Sequence, residues 1–182
     1  CYLAIGFFDG LHSGHQLLLD EIKKGRGAKK ALLTFDRTFK STLAHEKEEL
    51  LLTREEMIER CQKEGIDLLY VLPFKEETVK ASIEDFLSFL KNLNPKEIVV
   101  GEDFTFAYKA SGNVTTLHKL EKDGIQIKSL PLLSMNGEKV STRTIKKHLK
   151  EKETRLAHQE LGYPFFHTGK VNHGYQNGNK IN

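Results

Sequence analysis

Short apolar runs alternate with amphipathic segments along almost the whole chain. Residues 2–5 read as a short buried strand, and a glycine-rich turn over residues 6–14 follows at once. Over residues 15–24, Leu18, Leu19 and Ile22 recur at helical spacing. A second strand is expected over residues 31–35. Thr53-Arg54-Glu55-Glu56 has the form of a capping box, in which the Thr53 hydroxyl accepts from the Glu56 amide and the Glu56 carboxylate reaches back. It predicts a helix running to about Glu64 and closed by Gly65. Residues 66–73 form the third expected strand. Ser82 then opens a helix with Ile83, Phe86, Leu87 and Leu90 on one face, stopped by Asn94-Pro95. A fourth strand spans residues 97–100 and ends at Gly101. Residues 114–122 have a helical pattern ending at Asp123-Gly124, a fifth strand covers residues 125–130, a helix starts over residues 144–150, and another runs to Leu161.

Strands that alternate with ten-residue helices imply parallel strands joined by crossovers, so the expected class is α/β, a Rossmann-like doubly wound parallel sheet. Ligands of such sheets sit at the carboxyl ends of the strands. That rule points to the loops after Ile5, Phe35, Pro73, Val100 and Leu130. The tail has a different character. The helical pattern stops at Tyr163-Pro164, residues 165–171 read as a strand of a separate unit, and residues 174–182 are rich in Gly and Asn. The expected division is therefore a main domain over 1–161 and an incomplete second one over 162–182. The first strand is entered partway, without an initiating Met.

Composition narrows the class. With 182 residues the chain can bury a real core, and its 38% hydrophobic and 29% charged residues are those of a globular protein. The nearly unbroken apolar stretch over residues 68–74 falls far short of the roughly 20 residues that a membrane span needs. Two cysteines, Cys1 and Cys61, are too few for a disulfide scaffold or a structural zinc site. No signal peptide is evident, and a cytoplasmic setting is expected. A net charge of +3 spread among 25 acids argues against nucleic acid as a partner, and neither nucleic acid nor membrane is expected. The local cluster of Lys23, Lys24, Arg26, Lys29 and Lys30 reads as a solvated helix end and turn.

The chemistry concentrates in Gly6-Phe7-Phe8-Asp9-Gly10-Leu11-His12-Ser13-Gly14-His15, between the first strand and the first helix. Glycines 6, 10 and 14 let backbone amides approach a ligand, and the helix start offers unpaired N–H groups and a positive dipole end to an anion. His12 and His15, three residues apart, can lean into one space and bind phosphate oxygens. The Gly-Lys-Ser/Thr ending of a Walker A loop is missing. Two other readings stay open. The histidines with Asp9 are metal ligands, although no third strong ligand stands at a familiar spacing, or the segment is a structural turn with polar side chains.

This string, with Gln16 after it, resembles the nucleotidyltransferase superfamily, and within it the adenylyltransferase module of bacterial FAD synthetases, the bifunctional riboflavin kinase/FMN adenylyltransferases. Relatives acting on nicotinamide mononucleotide or phosphopantetheine usually have Pro where Gly10 stands. Three further segments resemble family motifs in order: Thr34-Phe35-Asp36; Val99-Val100-Gly101-Glu102-Asp103-Phe104-Thr105-Phe106; and Val140-Ser141-Thr142-Arg143-Thr144-Ile145-Lys146. The tail segment Gly169-Lys170-Val171-Asn172-His173-Gly174 resembles the first strand and loop of the riboflavin kinase β-barrel. The chain stops before that module's Thr and Asn, so kinase activity is not expected of it. Two departures stand out. Arg37-Thr38-Phe39 replace the usual Pro-His-Pro, and Lys146 stands where Arg is common, which gives up bidentate contact with phosphate.

The resemblance implies a nucleotidyltransferase-type fold and FMN adenylyltransferase activity, in which the FMN phosphate attacks ATP and releases pyrophosphate, with Mg²⁺ bound mainly through the ATP phosphates and no metal ligand assigned in the protein. It implies that His12 and His15 are catalytic. Gly6, Phe7, Phe8, Asp9, Gly10, Gly14, Ser141, Thr142, Arg143 and Lys146 would bind ATP and its phosphates; Asp103, Phe104, Phe106, Thr34 and Asp36 would border the flavin and adenine. The residues allow plainer accounts too. Phe104 and Phe106 at period two suit a core, and one of Ser141 and Thr142 is explained by helix capping. Arg143, Lys146 and Lys147 in a first helical turn oppose the dipole and call for an anion nearby, and Lys139 adds a cation just before them. Another small-molecule nucleotidyltransferase, acting on nicotinamide mononucleotide or a glycerol phosphate, and a non-catalytic flavin- or nucleotide-binding module are the alternatives.

Overall fold

The computed structural model describes residues 1–36, 50–73 and 75–170. Five strands, β1 (Tyr2–Ile5), β2 (Lys30–Phe35), β3 (Leu68–Leu72), β4 (Glu97–Gly101) and β7 (Gln126–Leu130), form one sheet in the order β3-β2-β1-β4-β7. Every pairing is parallel. The α/β class and the five strands are as the pattern predicts. Chain direction across the sheet reverses between β1 and β4, so the loops leaving these two neighbours open a crevice at their carboxyl ends.

The central strands are apolar on both faces because both faces are covered. Ala4 lies opposite Leu32 on β2 and Val99 on β4, and these side chains pack with Leu18, Leu19 and Ile22 of α1 (Ser13–Lys24). Cys61 of α2 (Arg54–Lys63) joins that layer. The alternate set, Leu3, Ile5, Ala31, Leu33, Ile98 and Val100, points to the other face, against Phe86, Leu87 and Leu90 of α4 (Ile83–Asn92). A period of two thus divides one sheet between two layers. A third cluster, Leu51, Ile145, Ala157 and Leu161, joins α6 (Thr142–Lys150) to α7 (Thr154–Leu161).

Capping explains most helix starts. Thr53 with Glu56, Ser82 with Asp85, and Ser141 with Thr144 each form a reciprocal box, so α6 begins at Thr142, two residues before the expected start. The helix expected over residues 114–122 is broken into α5 (Val114–Leu117) and a 3₁₀ stretch, His118–Asp123, that ends at Gly124 with φ +79°. The β-branched Val114-Thr115-Thr116 run is a weak α-helix former, and Leu117 and Leu120, both buried, stack at the three-residue repeat of a 3₁₀ turn. Small elements add to the expected set: α3 (Glu76–Val79), β5 (Thr105–Phe106) paired with β6 (Gly112–Asn113), and β8 (Ser134–Met135) paired with β9 (Glu138–Lys139). Asn136 and Gly137, at φ +52° and +81°, make the β8–β9 turn, a two-residue hairpin signal that the sequence carries openly.

After α7, residues 164–170 run without regular structure, so the described part of the expected strand over 165–171 is not a strand. Residues 171–182 and the divergent segment Arg37-Thr38-Phe39 lie outside the described residues. No helix among the described residues is long and apolar enough to cross a membrane.

Ile98 is fully buried between β1 and β7. Ile98→Ala is expected to lower unfolding stability by about 2–5 kcal/mol, read as a shifted urea midpoint with unchanged slope.

Candidate active site

The loop after β1 is held by tethers from several elements. Gly6 N–H donates to the Leu33 carbonyl (3.1 Å), and Phe8 N–H to the Thr34 hydroxyl (3.3 Å). The Asp9 carboxylate, only 2% exposed, accepts the amides of Leu51 (2.7 Å) and Leu52 (3.3 Å) on one oxygen and lies 3.1 Å from the Lys146 ammonium with the other. Thr142 Oγ1 donates to the Asp9 carbonyl (3.0 Å), and the Tyr163 hydroxyl to the Gly10 carbonyl (2.5 Å). Gly10 has φ +84°, and a Cβ there would meet Leu51 Cδ1 at 2.8 Å, so glycine is required twice over. Burial pushes the Asp9 carboxyl above its usual range, and Lys146 with the Leu51 and Leu52 amides opposes that push.

His12 is the N-cap of α1 and is 5% exposed; its side chain makes no capping bond, and no acidic residue stands in the first turn. The helix start therefore keeps its pull on an anion. The His12 and His15 rings stack with centroids 3.6 Å apart and 19° between planes, and Phe8 meets His15 edge-on. A Cβ on Gly14 would come within 3.2 Å of the His12 ring, a tight approach that would press on the stacked pair. Both Nδ1 atoms are buried without a protein partner. Burial, and then the Lys139 charge, hold the His12 imidazole down at about 4; burial, His12 and Lys139 hold His15 well below its usual value. Two cationic rings would repel at this spacing, and both shifts favour the uncharged imidazoles.

The pair lines a cleft of about 420 Å³ at the carboxyl ends of β1, β2, β4 and β7. Its walls include Gly6, Phe7 and Phe8, then Gly101, Asp103 and Phe104, then Leu132 and Leu133, then Lys139, Ser141, Thr142 and Arg143. Lys139 is ion-paired with Asp103. A second cavity of about 410 Å³, mostly apolar, lies beside it; Thr34, Asp36, Leu52, Arg54 and Met57 line it, and it shares Phe7 and Phe8 with the cleft. A third, of about 500 Å³, is lined by Phe86, Phe106, Val79 and Ala107 and shares Thr105 with the cleft. Phe35 borders all three.

Of the residues singled out in the sequence, the cleft gathers Gly6, Phe7, Phe8, His12, Gly14, His15, Asp103, Phe104, Ser141, Thr142 and Arg143. Others stand elsewhere. Thr34 and Asp36 line the second cavity, and Phe106 is a core residue on the third. With α6 starting at Thr142, Lys146 is its fifth residue and no longer in the first turn, and the anion beside it is the Asp9 carboxylate of the protein itself. Ser141 Oγ accepts from the Thr144 amide as the helix cap, and Thr142 Oγ1 is committed to Asp9. Arg143 is exposed at the cleft. Among the described residues, no three His, Cys, Asp or Glu side chains gather as a metal-binding group. Tyr163 and Phe86 carried no sequence signal as site residues, since each reaches the site only through tertiary packing.

A profile of the FAD synthetase family matches residues 1–144. Among curated proteins, the bifunctional riboflavin kinase/FMN adenylyltransferase of Listeria monocytogenes is 30% identical over 98% of this chain and 59% of its own length. That of Buchnera aphidicola (Schizaphis graminum) is 34% identical over 98% and 60%, and that of Escherichia coli K12 30% over 100% and 60%. The chain thus spans about 60% of the length of these relatives. A crystal structure described as a macrolide-efflux protein from Streptococcus pneumoniae superposes with a TM-score of 0.85 at 26% identity, over 99% of this chain and 60% of that one. A pantoate-beta-alanine ligase from Francisella tularensis shares the fold, with a TM-score of 0.53 at 15% identity over 94% of this chain and 82% of that one.

The histidine pair generates a pH dependence of stability. An imidazole held at about 4 in the folded chain against 6.5 unfolded means that the unfolded chain binds more protons between these values, so stability falls as pH drops through that window. His12→Gln is expected to flatten the pH dependence of thermal unfolding between pH 6.5 and 4, removing a loss on the order of 2–3 kcal/mol.

Proposed function

The chain belongs to the FAD synthetase family, and from that premise we propose that it is an FMN adenylyltransferase, joining FMN and ATP to give FAD and pyrophosphate. The observation that carries the reading is the stacked His12–His15 pair at an uncapped helix start, with its buried Nδ1 atoms unpartnered. A polyphosphate suits such a place, because the imidazole N–H groups and the first amides of α1 all donate and none carries a competing negative charge. Mg²⁺ accompanying ATP would neutralise part of the phosphate charge and would be held mainly by the ATP phosphates. The cleft's own carboxylate, Asp103, is already paired with Lys139.

The reaction proceeds by attack of a phosphate oxygen of FMN on the α-phosphorus of ATP, with pyrophosphate leaving on the far side. The nucleophile is carried by the substrate, so the protein's work is alignment and charge stabilisation. His12 and His15 hold the ATP phosphates and donate to the oxygens that gain charge. Negative charge beside the rings reverses the effect of burial and favours a protonated, doubly donating imidazole. Arg143 faces the departing pyrophosphate, while Thr142 and Lys146 act through Asp9 by fixing the loop. The flavin's flat apolar ring system fits an aromatic cavity next to the phosphates better than open solvent, and the Phe35–Phe86–Phe106 cavity supports that placement, being apolar and joined to the cleft through Phe35 and Thr105.

Incubating the chain with FMN, ATP and Mg²⁺ is expected to form FAD and pyrophosphate, separable by chromatography. Nicotinamide mononucleotide and glycerol phosphate in place of FMN are expected to yield nothing. His15→Ala is expected to cut turnover by about 100- to 1,000-fold with the fold intact; unchanged turnover would remove the phosphate role.

A further inference from the structure

Most of the loop's tethers among the described residues come from β2, the segment leading into α2, and α6; one comes from beyond α7. Tyr163 lies beyond α7, past Gly162, which closes that helix at φ +78°. Its hydroxyl donates to the Gly10 carbonyl at 2.5 Å, spanning 153 positions of sequence. Its ring lies under the Arg60 guanidinium at 4.1 Å, and Arg60 is itself fixed by Glu64 at 3.1 Å. Five residues on, Thr168 N–H donates to Glu56 Oε1 at 2.5 Å, and Glu56 is a buried carboxylate that also caps α2 through Thr53. Residues 163–168 are therefore pinned to α2 at both ends. The end of α7 also touches the start of α1: Ser13 Oγ donates to the Gln159 carbonyl at 3.4 Å, and a Cβ on Gly162 would sit 3.1 Å from that hydroxyl.

The peptide between Gly10 and Leu11 is the sensitive point. Leu11 has φ +41°, an unfavourable value for a branched side chain, and only a surrounding that over-determines the backbone keeps it there. The Leu11 side chain is fully buried, and the carbonyl before it is held by Tyr163. Releasing that carbonyl lets the peptide rotate toward a relaxed φ, and His12 follows directly in the chain. Burial pushes the Tyr163 phenol up to about 12, so it stays a donor across the working pH range.

We propose that Tyr163 is a positioning residue of the adenylyl transfer, and that residues 163–168 form a strap through which the chain beyond α7 sets the conformation of the phosphate loop. The inference rests on the adenylyltransferase reading for its kinetic test. Tyr163→Phe keeps the ring over Arg60 and removes only the donor. The variant is expected to unfold within a few degrees of the parent, to lose about tenfold in kcat and to bind ATP more weakly, with the KM for FMN unchanged. Unaltered kcat and KM for ATP, or an equal rise in both KM values, overturns the proposal. A second measurement needs no variant. Hydrogen exchange on the unmodified chain, with and without inorganic pyrophosphate, is expected to show slower exchange at residues 163–168 together with residues 10–16. Protection of 10–16 alone overturns the strap. If the unmodified chain makes no FAD, the adenylyltransferase reading fails, and the exchange experiment still decides the coupling.

Discussion

The Asp9 carboxylate is buried, engages two backbone amides and an ammonium, and ties the loop after β1 to the segment before α2 and to α6. A charge so far from water is tolerable only with several partners, and losing one leaves the rest paying desolvation without compensation. Through Leu51 and Leu52 it positions the segment leading into α2; through Lys146 it draws in α6; and its own carbonyl is tied to the Thr142 hydroxyl. In α6, which starts at Thr142, Lys146 falls beyond the first turn, and Asp9 supplies the charge that balances it. Charge within the protein thereby builds the frame, while the buried Nδ1 atoms of the histidine pair have no partner within the protein.

The scaffold was legible in the sequence because its signals are local. Strands buried on both faces read as continuous apolar runs, and capping residues three apart mark helix starts without reference to anything distant. The loop after β1 was legible too, since glycine spacing and paired histidines mean the same thing in any context of strand and helix. Roles were harder to read than places. Ser141, Thr142 and Lys146 read as phosphate ligands by type and by resemblance. In the fold, Ser141 Oγ accepts the Thr144 amide as a local helix cap, while Thr142 and Lys146 meet the carbonyl and the carboxylate of Asp9, 133 positions or more away in the chain. Phe104 and Phe106 look alike in sequence; folding sends one to the cleft and the other into the core. The split of residues 114–123 turned on a balance between β-branched stiffness and the burial of two leucines, which propensity alone does not weigh.

Electrostatics in the cleft depends on order of assembly. Burial and the neighbouring charges lower both histidines and so favour the neutral rings, and Lys139 is paired with Asp103. The cleft therefore folds without a concentration of unpaired positive charge. On the proposed reading, a polyphosphate supplies the charge that makes protonation favourable. Folding stability and anion affinity, which would compete in a site made of lysines alone, are largely separated here.

Phe35 borders the cleft and both neighbouring cavities, and Phe7 and Phe8 border two of them. A substitution that reshapes one of these cavities must therefore also reshape its neighbour. On the proposed reading, selectivity for the two substrates is then not inherited as separate traits: the effect of one change at these rings depends on which residue already occupies the next. Retargeting this scaffold calls for correlated changes across the shared aromatic wall, and single-site libraries would sample mostly losses.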